Sequence, residues 1–85
     1  MDKDQRDRLT QIQAKYVDDL MRLPNVVGVG IGQAQVNGTY TDTPAIVVMV
    51  ERKVPADQLD AEARIPRELD GVRVDVQEVG QLNAF

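Results

Sequence analysis

The stretch Ala45 to Val50, "AIVVMV", most constrains what this chain can become. Six apolar residues without a polar break read as a strand buried on both faces, because a strand with one wet side alternates. Both faces must then be covered, and an 85-residue chain has little to cover them with. From Asp4 to Arg22, Leu9, Ile12, Tyr16, Leu20 and Leu23 recur at helical spacing, with Val17 and Met21 widening the stripe. That predicts one amphipathic helix over about residues 4–22, ended by Leu23-Pro24, since a residue before proline is driven out of helical space. Asp2 and Asp4 suit the positive end of its dipole. One helix covers one face. The second is expected to be shielded by the Pro55–Pro66 segment or by another chain.

Two more strands are predicted. Residues 26–36 alternate, and Asn37-Gly38 turns them into a hairpin with a strand over about 44–54, its loop longer than the two-residue minimum. Val72, Val74 and Val76 alternate with Arg73, Asp75 and Gln77, which predicts a strand over 71–79 entered through Asp70-Gly71. The connection between them is long enough to cross a sheet face, with a short helical turn capped by Asp57 or Asp60. The expectation is a single α+β domain over residues 1–85: a helix packed on a three-stranded sheet in the order 2-1-3. A rival reading pairs Ile65–Leu69 with Val72–Val76 as a short hairpin, and Pro66 weighs against it because proline cannot donate to a ladder.

The run "NVVGVGIGQAQVNG" invites a nucleotide-binding reading, which its context removes. A dinucleotide fingerprint needs a third glycine opening a helix, and Gln33 or Gln35 stands where that glycine would fall. A spacing of two instead places Gly28, Gly30 and Gly32 on one side of a strand, with Val26, Ala34 and Val36. Glycine weakens a strand by roughly 0.5–1 kcal/mol relative to alanine. Close packing against this bare face is therefore expected, with Gly30→Val costing about 1–3 kcal/mol. Val47 and Met49 of the apolar run join the three glycines as structural or interface candidates.

Chemical inventory narrows function. The chain has no histidine, cysteine or serine, so the common nucleophile–base pairs and the usual zinc sites are missing. No catalytic, cofactor or metal site is predicted, and no enzymatic activity. The carboxylates Asp18-Asp19 and Asp57, Asp60 and Glu62 do not match a calcium loop. Net charge is −4. Residues 1–22 balance five acids with five bases, while the rest carries nine acids and five bases. Phosphate-binding surfaces need clustered cations, so no nucleic-acid partner is expected. No apolar run approaches the roughly 20 residues needed to span a bilayer, and "MDKDQRDR" is unlike a signal peptide. No membrane partner and a cytoplasmic location are expected.

Three further stretches, "LPNVVGVGIG", "TPAIVVMVERKVP" and "IPRELDGVRVDVQEVG", together resemble the short module that precedes trypsin-like peptidase domains in a group of bacterial proteins. The resemblance runs from about Leu9 to Gly80, and the chain ends at Phe85, where such a peptidase domain would begin. It implies an accessory module that docks on a protein such as a peptidase domain, and it carries over no catalytic residue. Two functional classes follow: a non-catalytic, self-associating interaction module, expected as a homodimer, or a small-ligand or enzymatic domain whose site forms between subunits.

Overall fold

A computed structural model describes residues 2–54, 58 and 64–80. The helix α1 spans Lys3–Met21, followed by strands β1 (Val26–Val36), β2 (Thr39–Val50), β3 (Glu68–Leu69) and β4 (Val72–Glu78). The predicted helical turn between Pro55 and Pro66, with its candidate caps Asp57 and Asp60, lies largely outside the described residues. The architecture is α+β, as the sequence implies, with four strands among the described residues where three were expected.

Local chemistry fixes the ends of each element. Asp2 caps α1: its Oδ1 accepts from the Gln5 amide at 2.8 Å, and the Gln5 side chain accepts from the Asp2 amide at 3.2 Å. This reciprocal box satisfies two amides that a helix start leaves orphaned. After Pro24, Asn25 takes a left-handed φ of 74° and turns the chain into β1. Its backbone carbonyl accepts from the Glu51 amide and its side-chain oxygen from the Arg52 amide, both at 3.0 Å, which clamps the end of β2.

Both hairpins use an Asx-Gly pair. Asn37 and Gly38 have φ of 52° and 79°, and Asp70 and Gly71 have φ of 51° and 81°. Positive φ at both central residues gives the turn whose twist matches paired strands. The β1–β2 loop is thus the two-residue minimum, shorter than predicted, and β2 begins at Thr39 rather than near 44 and ends at Val50 rather than 54.

Sheet order is β1-β2-β4-β3, not the 2-1-3 expected from the sequence. β1 and β2 pair antiparallel, and β4 runs parallel to β2, with Ala45 opposite Arg73 and Val50 opposite Glu78. The crossover therefore returns β4 to the free edge of β2, as a strand–crossover–strand unit does most directly. The apolar run that demanded cover on two faces becomes an interior strand. The rival hairpin is real as well: Leu69 pairs with Val72 and Glu68 with Arg73. Pro66 is no obstacle, because β3 starts two residues beyond it.

One core lies between α1 and the sheet. Leu9, Ile12 and Leu20 from the helix pack with Val26, Ile46, Val48, Val50 and Val74, and Ile65 packs against the same cluster. The described end of the crossover, at Ile65, thus lies on the α1 side. Among the described residues, no helix is long and apolar enough to cross a membrane.

A polar knot ties the helix to the β3–β4 turn. The Asp70 carboxylate accepts from the Tyr16 hydroxyl at 2.9 Å and from Lys15 Nζ at 3.1 Å, and Arg8 donates to the Asp70 carbonyl at 3.0 Å. The Tyr16 hydrogen bond, followed by that of Lys15, lowers the Asp70 pKa, and Asp70 in turn raises that of Lys15. Because the Asp70 value is lowered on folding, its stabilisation is complete above the ordinary carboxylate pKa of about 4 and is lost as pH falls through the lowered value. Lys15 behaves oppositely, its contribution fading only as pH rises past its ordinary value. Asp70→Asn, which keeps the left-handed turn, is expected to flatten the acid limb of a stability–pH profile measured by urea unfolding. An unchanged limb would show that the knot carries no linkage.

Candidate interaction surface

The side of the sheet facing away from α1 is built by alternation. β2 directs Ile46, Val48 and Val50 into the core, so Ala45, Val47 and Met49 occupy the other side. β4 likewise sends Val74 inward and places Arg73, Asp75 and Gln77 outward. On β1, Gly32, Gly30 and Gly28 lie opposite Ala45, Val47 and Met49. The structure therefore brings together all five sequence candidates, Gly28, Gly30, Gly32, Val47 and Met49, on one face.

Val26 is not on that face. A register shift between Val26 and Gly28 inserts Val27 as a bulge, which flips the alternation and puts Val26 into the α1-side core. Among the described residues, the expected close packing of a helix or a second backbone against the glycines is not found. A Cβ added at Gly28 would come within 2.8 Å of Met49 Cε, and one at Gly32 within 3.3 Å of Val47 Cγ2. The glycines make room for side chains of the neighbouring strand. At Gly30 the nearest such atom is Met49 Cε at 4.0 Å.

Missing Cβ atoms leave a shallow depression of about 210 Å³, bordered by Gly30, Gly32, Tyr40, Val47, Met49 and Gln77. Its apolar floor and amide and phenol rim carry no formal charge. Because no described residue comes closer than Met49 to a Cβ at Gly30, Gly30→Val is expected to raise the thermal midpoint by a few degrees, since valine suits a strand and glycine costs about 0.5–1 kcal/mol there. Differential scanning calorimetry checks this, and a lower midpoint would mean that the face is filled after all.

Sequence alternation gave no sign that Asp75 is buried. It is 8% exposed, and its Oδ2 accepts from the Gln35 amide and from Gln77 Nε2, both at 3.0 Å. The Gln35 amide needs this partner because the pair Gln35–Tyr40, next to the exchanged pair Val36–Thr39 at the turn, points its backbone groups away from β2. Thr41 completes the repair, donating its hydroxyl to the Ala34 carbonyl at 2.9 Å. The Asp75 carboxylate and the Thr41 hydroxyl are thus engaged in holding an irregular ladder. Among the other charged candidates, Asp19 faces Arg22 at 3.5 Å on the exposed side of α1. Among the described residues, no three metal-ligating side chains converge.

No curated protein matches the chain. A family model does match, over residues 7–79, and its description is the N-terminal domain of NARROW LEAF 1. It corrects the resemblance to a bacterial module preceding trypsin-like peptidase domains, because the matching family is that of a plant protein. The motifs behind that resemblance are strand and turn chemistry: a glycine-alternating β1, an apolar β2 and an Asp-Gly entry to β4. Since the match runs from the first turns of α1 past the end of β4, the chain belongs to the NARROW LEAF 1 N-terminal domain family.

Proposed function

We propose that this domain is a non-catalytic protein-interaction module that works as a homodimer in the cytoplasm. The observation that carries the reading is the second side of the sheet. The interior strand β2 is apolar on both faces, α1 covers one, and the other presents Met49 and the glycine depression without a charged group in its floor. Apolar surface in that setting suits a protein partner. The family description adds support, since the unit serves NARROW LEAF 1 as an N-terminal domain, a part beside further chain. Titratable groups that are buried or tightly bonded, Asp75 and Asp70, are absorbed by structural hydrogen bonds.

Light scattering coupled to size exclusion at micromolar concentration tests the reading. The expected mass is about twice the 9.5 kDa of the chain. A mass of one chain at every concentration would remove self-association. Peptide hydrolysis by protein free of contaminants would remove the non-catalytic part.

A further inference from the structure

We infer that the homodimer forms by antiparallel pairing of β1 with β1 of a second copy, so that the two sheets become one. This rests on the self-association proposed above and adds the surface that performs it.

Among the described residues, the order β1-β2-β4-β3 leaves two sheet edges. One is β3, only two residues long, and the other is β1, eleven residues long. Edge strands are normally guarded by charge, proline, shortness or bulges, because their open backbone groups are a template for pairing. β1 reads "VVGVGIGQAQV", with no charged residue and no proline. Its two register shifts lie at its ends and leave Gly28 to Gln33 regular.

The direction of its backbone groups follows from the ladder. Gln33 lies opposite Pro44, which has no N–H, so that pair cannot exchange both hydrogen bonds. Alternation then assigns the exchanged bonds to Gly32–Ala45 and Gly30–Val47 and turns the amides and carbonyls of Gln33, Ile31 and Val29 away from β2. An independent contact agrees: Gln13 Nε2 reaches from α1 to donate to the Val29 carbonyl at 2.9 Å. Among the described residues, no side chain does the same for Ile31 or Gln33.

A second copy fits this edge by charge and by pattern. The chain carries a net charge of −4, yet an uncharged strand lets two copies meet without opposing like charges along the seam. With a two-fold axis at Ile31, that residue pairs with its equivalent, Gly30 meets Gly32 of the copy, and Val29 meets Gln33 of the copy. Branched residues then gather on the α1 side and glycines on the other. The two glycine depressions fall on one continuous face, free for a further protein. Such a contact is isologous, so it closes at two chains.

The experiment combines sedimentation with amide exchange on the full chain. In the dimer, the Ile31 and Gln33 amides should be protected, and protection should fall on dilution towards monomer. Gln33→Pro removes one outward amide from an exposed position and should raise the dimer Kd at least tenfold with an unchanged circular dichroism spectrum. Gly30→Val should leave the dimer mass intact. A stable dimer whose Ile31 and Gln33 amides exchange freely would overturn edge pairing while leaving self-association standing. Loss of the dimer in Gly30→Val would also overturn it, by placing the contact on the glycine face. A monomer at all concentrations, or protection that appears only with a foreign peptide, would overturn both. Should Gln33→Pro fail to fold, amide exchange in the unaltered chain decides alone.

Discussion

Ile46→Ala should destabilise the domain by about 2–5 kcal/mol, the range for truncating a fully buried branched side chain. Ile46 is 0% exposed and sits on the interior strand, in the cluster that joins Leu9 and Ile12 of α1 to Val74 of β4. Neighbours on three elements hold that space open, so the cavity left by alanine cannot readily collapse. A domain of this size has on the order of 5–15 kcal/mol in total, so the loss is a large share. Urea unfolding should show a lower midpoint with an unchanged slope. Met49→Ala, on the side away from α1, should cost clearly less because Met49 is only half-buried. Equal costs for the two would contradict a single core beneath the helix.

Asp75→Ala should cost about 1–3 kcal/mol, the penalty for leaving a buried donor without its acceptor. The stranded donor is the Gln35 amide, which lies just past the register shift between Gln33 and Gln35. Asp75→Asn keeps one acceptor oxygen and should recover most of the difference. Thermal unfolding of the two variants side by side gives the comparison. If alanine and asparagine behave alike, the carboxylate is not what satisfies Gln35.

Individual residues show what a sequence can and cannot reveal about such a fold. Leu9, Ile12, Tyr16 and Leu20 specify α1 because helical spacing is local and repeats three times. Asn37-Gly38 announces a hairpin for the same reason, since two adjacent positive φ values suit few residue pairs. Interior burial of β2 was legible in "AIVVMV". Its neighbour was not, because a long connection can return a strand to either side of a hairpin and no residue in it marks the choice. β3 escaped because two residues carry no period. The bulge at Val27 escaped because valine is as much at home in a regular strand as in an irregular one, and missing it misplaced Val26. The five site candidates share a face as alternation implies. What lies against Gly28 and Gly32 is a side chain of β2, and an absent side chain says that space is needed but not which group uses it. Asp75 stayed hidden because alternation with Arg73 and Gln77 makes it look solvated, while its partner is a backbone amide forty residues away in sequence.

The two-residue turn at Asn37-Gly38 also sets an order of events as the chain folds. Closing β1 on β2 spans two residues, whereas pairing β4 with β2 must close the stretch from Val50 to Val72. Loop entropy adds about 0.6 kcal/mol per doubling, so the second closure is dearer by about 2 kcal/mol. The hairpin, joined by the neighbouring α1, forms within microseconds, and β4 docks later. During that interval the Ala45–Val50 strand has one open edge, uncharged and rich in β-branched residues, which is the composition that seeds intermolecular sheets. Refolding yield is therefore governed by chain concentration in the time before β4 arrives.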